Sequence, residues 1–319
     1  MGAVTSSFAT ELASPEAKIT GIFTYPIKSC RGISLPHAPL TPFGFRWDRQ
    51  WVVVNSKGRA CTQRVDPKLA LVEVELPSES FFEHWEPTTD SFMVLKAPGM
   101  KPLKVCLNKQ YEVVDDITVF EWKGSAWDEG AEASQWFSDY LGKPCKLVRF
   151  NTASGVRNVD PDYVEGQQQT FFSDGYPFLI ASQESLDALN KLLEEPIPMN
   201  RFRPNILVEG CEPNAEDLWR DIKIGRFSFQ GVKLCGRCKV PTVNQETATF
   251  GTEPTETLMK VRSGHVLRPD KKDKNMVYFG QLTVWNWKDS SAEGDGKVLK
   301  LGDSVYINKK FSSRSEAAA

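Results

Sequence analysis

The sequence predicts a mainly β protein with a few helices, an α+β arrangement. Three observations carry this. Short runs of alternating or continuous apolar residues, punctuated by Pro and Gly, fill Ile19 to Trp122. Two amphipathic helical patterns stand near the middle, and strand patterns return after Asn205. A length of 319 residues suggests about two domains of ~150 residues.

Ile19 to Tyr25 alternates, Trp51 to Val54 is an apolar run suited to a buried strand, and Val72 to Leu76 alternates with Glu73 and Glu75 facing water. Phe92–Lys96, Leu103–Leu107 and Ile117–Trp122 continue the pattern between turn signals at Pro42-Phe-Gly44, Pro77 and Pro98-Gly99. An antiparallel, barrel-like sheet follows from this. Glu129–Leu141 carries Ala133, Trp136, Phe137, Tyr140 and Leu141 at helical spacing, and Gly142 ends it. Ser182 starts a second helix with Leu186, Leu189, Leu192 and Leu193 on one face and Pro196 beyond its end. Ile206–Val208, an Ile222–Leu234 hairpin, Leu282–Trp287 and Val298–Ile307 read as strands. A short helix over Pro254–Val261 precedes a charged loop, Arg268 to Lys274, and Gly294-Asp-Gly296 reads as a turn tip.

Composition excludes several classes. The chain is 40% hydrophobic and 25% charged, and a net charge of −2 with no basic, aromatic-interleaved run gives no footprint for nucleic acid. Seven irregularly spaced cysteines without a secretory signal fit reduced thiols in a cytosolic-type compartment. No apolar run approaches ~18 residues, so no transmembrane segment is expected. The first residues carry Glu11 and Glu16 but no Arg, unlike a transit peptide, while Met1-Gly2-x-x-x-Ser6 fits a myristoylation pattern. A cytoplasmic protein, with peripheral membrane association through Gly2 as an alternative, is the expectation. No G-x-S-x-G, P-loop or G-x-G-x-x-G motif occurs, and His37, His84 and His265 are isolated.

The most informative motif is Cys235-Gly-Arg-Cys238, entered by the strand-like run Phe227–Leu234 and followed by Lys239-Val-Pro-Thr-Val243. A thioredoxin-type site needs a helix N-terminus, which Pro241 and two valines disfavour. A structural zinc site needs a second ligand pair, which the scattered remaining cysteines do not supply. One thiolate beside a cation suits a soft metal held mainly by something other than protein.

Elsewhere the residues leave two readings open. Lys28 and Ser29, on the turn after Pro26, form either an ordinary polar turn or an anion site. Arg49 and Arg64 are either ion-pair residues or inward anion clamps. Arg203 and Asn205, in Phe-Arg-Pro-Asn, offer a bidentate fork and a mixed donor–acceptor. Asp174, in Ser-Asp-Gly, either caps its own turn or stands near a metal or reacting water.

The ordered set Tyr-Pro-Ile-Lys-Ser-Cys (25–30), Ser-Asp (173–174), Phe-Arg-Pro-Asn (202–205), Cys-Gly-Arg-Cys (235–238) and Phe-Gly-Gln (279–281) resembles the MOSC-domain family, and within it the amidoxime-reducing branch, over about Ile19–Asn308. The resemblance implies a flexible tail at 1–17, a MOSC N-terminal β-barrel domain at 18–148, a MOSC β-barrel at 149–310 and a flexible tail at 311–319. It also implies the molybdenum cofactor, molybdopterin-bound, with Cys238 as the metal ligand and Asp174 near the metal. Lys28, Ser29, Arg49, Arg203 and Arg237 would hold the pterin and its phosphate, helped by Asn205 and the backbone at Gly236. The implied activity is reduction of N-hydroxylated compounds (amidoximes, hydroxylamines, N-oxides, also nitrite), with electrons from NADH through cytochrome b5 reductase and cytochrome b5. Membrane-anchored members begin with a hydrophobic helix, which this sequence lacks, and Gly175 stands where some members carry a hydroxyl residue. Two alternatives remain: a persulfide carried on Cys238, as in the related C-terminal domain of molybdenum cofactor sulfurases, and a non-catalytic cofactor carrier.

Overall fold

The computed structural model describes residues 14–109, 112–164, 166–269, 274–288 and 296–318. Gly2, residues 270–273 of the charged loop, and Gly294-Asp295 of the expected turn tip lie outside them.

Alternation turns the first third of the chain into short strands. β1 (Ala17–Thr24) buries Ala17, Ile19 and Ile22 and ends before Pro26. β2 (Ile33–Leu35), β3 (His37–Thr41) and β4 (Gly44–Phe45) follow, then β5 (Trp51–Asn55), whose apolar residues are all buried. β6 (Glu73–Glu75), β7 (Phe92–Lys96) and β8 (Leu103–Cys106) form a three-stranded sheet with Glu73 and Glu75 exposed, as the pattern predicts. The strand expected over Ile117–Trp122 is corrected. The chain reverses at Phe120-Glu121, between β9 (Val113–Val119) and β10 (Trp122–Asp128), and Phe120 adopts a φ of 54°. Apolar residues on both sides of a two-residue turn look continuous in sequence; only pairing with neighbours folds them back.

α1 (Ala131–Leu141) buries Ala133, Trp136, Phe137 and Tyr140, and Gly142 closes it at φ 71°. β11 (Cys145–Phe150) then pairs with β5 and β10. β12 (Phe178–Ser182), α2 (Gln183–Asn190) and β13 (Ile206–Glu209) make a βαβ unit with parallel strands. Ser182 caps α2, its hydroxyl accepting from the Ser185 N–H at 3.1 Å. α2 ends at Asn190, so Leu192, expected on its apolar face, lies beyond the helix and is 56% exposed.

β14 (Trp219–Ile224) and β15 (Phe227–Arg237) form the predicted hairpin. α3 (Thr255–Val261) and α4 (Gly264–Leu267) lead into β16 (Val277–Trp285). The strand expected over Val298–Ile307 is two, β17 (Val298–Lys300) and β18 (Ser304–Lys310), because a turn at Gly302 (φ 88°) sends them to different sheets. Residues 311–318, expected as a tail, also fold. α5 (Arg314–Ala317) packs Ala317 and Ala318 against Leu234 and Tyr278.

The main sheet runs β13-β12-β16-β15-β14-β18-β1-β2, and β13 also pairs with β1. It therefore closes into a seven-stranded barrel with β2 appended. A second, open sheet has the order β5-β11-β10-β9, and β17, β3 and β4 form a small third layer. β1 is thus a stave of a barrel otherwise built from residues beyond Pro177, which carries the turn after β1 to the C-terminal motifs. Phe23 N–H donates to Asn205 O at 2.9 Å across that closure.

Under the barrel, Asp217 is fully buried and accepts both arms of Arg262 (2.8 and 2.9 Å) and Arg314 Nε (2.9 Å). Asp217→Ala leaves Arg262 buried without its partner and should cost ~3–5 kcal/mol in urea unfolding. Arg314→Ala, at a half-exposed side chain, should cost about 1 kcal/mol or less. Equal losses for the two variants would contradict this ranking.

Candidate functional site

Two segments are zipped together beside the barrel mouth. Lys28 N–H donates to Trp51 O at 2.8 Å, Trp51 N–H to Pro26 O at 3.0 Å, and Arg49 N–H to Tyr25 O at 2.8 Å. Ser29, Arg49 and Arg203 all sit in the left-handed region, at φ 69°, 47° and 55°. Three non-glycine residues in that region, each singled out by sequence, mark a place where tertiary contacts hold an unfavourable backbone.

Lys28 is buried, and its ammonium donates to Phe172 O at 2.8 Å and to Asp174 Oδ1. Burial lowers its pKa from 10.5 to about 8, with Asp174 opposing the fall. Asp174 points to its cations rather than capping its own turn, and Arg64 Nη2 stands 3.7 Å from Oδ2. Its carboxyl is open to solvent on one side (67% exposed); burial of the rest raises its pKa, but Lys28, Arg64 and Arg49 win and hold it well below the usual carboxylate range. Arg157, which sequence reasoning missed, is buried beneath and fixes this loop through Phe171 O (2.8 Å), Ser173 O and Asp174 O (3.4 Å).

Tyr25 is the centre of the other half. Its ring carries the Arg49 guanidinium at 4.1 Å and that of Arg203 at 4.3 Å, and its hydroxyl donates to Pro204 O at 3.0 Å. Burial pushes the phenol up to about 12, against the pull of Arg203 and Arg49. Arg49 is turned inward and makes an ion pair there. Nη1 pairs with buried Asp48 at 2.7 and 2.8 Å and with Asn205 Oδ1 at 3.0 Å, while Nη2 reaches Arg203 O at 3.3 Å. Asn205 is wholly buried and holds the frame, bonding Arg49, Leu179 N–H and Phe23 O. Arg203 Nη2 donates to Cys30 O at 2.7 Å, and burial lowers its pKa to about 10.

The thiol motif ends β15, where the register shifts between Leu234 and Gly236. Such a bulge re-aims the side chains that follow. A Cβ at Gly236 would lie 3.0 Å from Met276 Sδ, a tight approach that the exposed methionine side chain would have to yield to. Arg237 donates to Phe202 O at 2.8 Å and to Cys235 Sγ at 2.9 Å. Burial raises the Cys235 thiol pKa, Arg237 opposes it, and the charges of Asp174 and Cys238 add to the rise. Cys238 is half-buried just past the strand.

The structure therefore gathers Lys28, Arg49, Asp174, Arg203, Asn205 and Arg237, with Ser29 on the same turn and its carbonyl accepting from Gln63 Nε2 at 2.7 Å. It turns Arg64 toward Asp174, gives Tyr25 of the 25–30 motif a bracing role, and adds Arg157, whose only local signal was an arginine in a loop. Six cationic side chains meet the carboxylates of Asp48 and Asp174, leaving an excess of positive charge suited to a multiply charged anion. Arg64 Nε, Arg237 Nε and Ser173 Oγ are buried with no hydrogen-bond partner among the described residues. Unmade donors of this kind fit a phosphate-bearing group. Among the described residues no group of three His, Cys, Asp or Glu side chains could hold a metal. A molybdopterin, which brings both a phosphate and its own metal ligands, fits this donor set.

Comparison with known proteins agrees with that chemistry. Residues 16–144 match the MOSC N-terminal beta barrel domain, and residues 167–306 match the MOSC domain. Mitochondrial amidoxime-reducing component 1 of Mus musculus is 30% identical over 297 residues, 91% of this chain and 82% of that protein. Mitochondrial amidoxime reducing component 2 of Bos taurus is 32% identical over 302 residues, 90% of this chain and 82% of that protein. A molybdenum cofactor sulfurase of Oryza sativa subsp. japonica is 28% identical over 325 residues, 93% of this chain and 36% of the sulfurase. The chain belongs to the MOSC-domain family, in the group that contains the amidoxime-reducing components.

Proposed function

We propose that the chain is a molybdenum-cofactor-dependent reductase of N-hydroxylated compounds, taking electrons from NADH through cytochrome b5 reductase and cytochrome b5. The cluster of cations around Tyr25 and Asp174, which includes Arg237 of the Cys235–Cys238 motif, is the observation that carries this reading. Lys28, Ser29, Arg49, Arg203 and Arg237, with Asn205 and the Gly236 backbone, would hold the pterin and its phosphate, and Cys238 would supply a thiolate to the metal. The bound cofactor supplies the two-electron redox chemistry. The chain supplies the rest. Lys28, Arg64 and Arg49 keep Asp174 ionised and Arg157 fixes its loop, leaving a carboxylate able to accept a hydrogen bond from a substrate N–OH. Arg49 and Arg203 are braced on Tyr25 before any ligand arrives, which lowers the ordering cost of binding.

Similarity to molybdenum cofactor sulfurases favours a second reading, a persulfide carried on Cys238. Metal analysis with a benzamidoxime reduction assay separates the two. On the reductase reading the protein purifies with about one molybdenum from a cofactor-competent host, and Cys238→Ala loses both metal and activity. Cys235→Ser retains substantial activity, since Cys235 is engaged with Arg237. Two equally inactive, folded variants would bring back a paired-thiol mechanism. Bound molybdenum without reduction by cytochrome b5 would leave a carrier.

The pH dependence follows from Lys28. As pH rises through about 8 its ammonium loses its proton, and with it the grip on Asp174 and on a phosphate. Uptake of the cofactor by the cofactor-free protein should therefore weaken as pH rises through about 8, and Lys28→Arg should move that limb beyond about pH 10, because guanidinium stays charged. An unmoved limb in Lys28→Arg would assign the titration to another group.

Location is part of the proposal too. The relatives' names include "mitochondrial", and among the described residues no helix is long and apolar enough to cross a membrane. A mainly cytosolic protein should fractionate with the supernatant. A membrane-bound protein resistant to high salt and unchanged by Gly2→Ala would show an anchor of another kind.

A further inference from the structure

The β9–β10 turn places an aromatic ring where its local sequence gives no reason for one. Phe120 occupies the first position of a two-residue turn at φ 54°, a conformation that favours Gly or Asn and disfavours a bulky side chain. Nor is the ring a core residue, being 42% exposed. It lies instead against the two cations that hold Asp174: Lys28 Nζ is 4.9 Å from the ring centroid and Arg64 Cζ is 4.6 Å from it. Both distances are within the range of cation–π attraction.

Both shoulders of the turn are tied to the segments that carry those charges. On one side Thr118 is zipped to the turn leading to Arg64, donating to Gly58 O at 2.8 Å and accepting from Ala60 N–H at 3.0 Å. On the other, Trp122 stacks on Phe150 at 5.4 Å and meets Phe172 edge-on at 5.8 Å. Phe172 O is itself the second acceptor of the Lys28 ammonium. The turn therefore cannot retreat without moving the groups it covers. We propose that Phe120 is a positioning residue, whose ring clamps the Lys28 ammonium and the Arg64 guanidinium onto the Asp174 carboxylate. Asp174 keeps one side open to solvent while its cations are held from the other.

The test uses the full chain and the variants Phe120→Asn, Phe120→Leu and Phe120→Trp. Asparagine accepts the positive φ, so Phe120→Asn should melt at or above the wild-type temperature. Acylation of Lys28 by acetic anhydride at constant pH, read by peptide mass spectrometry, reports whether the ammonium is still covered and paired. Phe120→Asn and Phe120→Leu should label roughly 3- to 30-fold faster than wild type, and Phe120→Trp should stay within a factor of about two, since indole binds cations at least as well as phenyl. Leucine protecting as well as tryptophan would reduce the ring to apolar cover, and wild-type labelling in Phe120→Asn would remove any role; either result overturns the proposal. So would unfolding of all three variants, which would make Phe120 a determinant of the hairpin alone. A kinetic arm rests on the reductase reading: Phe120→Leu should lower kcat for benzamidoxime with KM little changed, and tryptophan should restore it. A wild type that reduces nothing would end the reductase reading while the labelling result still decides the clamp.

Discussion

The pairing of β1 with β13 is the constraint on which the site depends. Register Ile22↔Ile206 through Lys18↔Glu209 closes the barrel and buries Ile19, Ile22, Ile206 and Val208 in one core. It also sets the turn at 25–30 beside the turn at 202–205, with Cys30 and Arg203 173 residues apart in sequence. Closing so long a loop has an entropic cost that apolar burial along the two strands must offset. Once the barrel is closed, Arg203 reaches Cys30 O and Asn205 reaches Phe23 O with no further ordering.

Burying so many cations is unfavourable, and the molecule manages that cost by giving them fixed partners. Backbone carbonyls of Cys30, Phe171, Phe172, Phe202 and Arg203 accept from side chains in the cluster, and Tyr25 and Phe120 supply π faces. Burial lowers the pKa of Lys28, Arg157 and Arg203, which is the signature of cations short of negative charge. An anion bound among them would supply that charge. Its binding is thereby linked to the protonation and stability of the folded state.

Relatives on this scaffold bear different names, reductase components and sulfurases, and a fold does not choose between chemistries. The choice rests on local features: an exposed carboxylate held ionised, a cysteine pair in which one thiol is engaged by Arg237, and a half-buried Cys238. Arg237 donates to Cys235 Sγ, so the two thiols of the motif stand in different surroundings.

Local periodicity made β1, β5, β7, α1 and the Ser182 cap legible, because each depends on residues within a few positions of one another. Motif order likewise made Lys28, Asp174, Arg203 and Arg237 legible as a group. The division of the last strand at Gly302 and the docking of α5 were not, since each is settled by a contact far away in sequence, and the reversal at Phe120 was hidden because the turn residue is itself apolar. Arg64 was ambiguous and Arg157 was missed for the same reason: an arginine in a loop has no local mark that distinguishes a solvated charge from one turned inward. Barrel closure supplies the missing term, bringing Asp174 within reach of Lys28 and Arg64, so the roles of these residues became fixed only when distant segments were packed together.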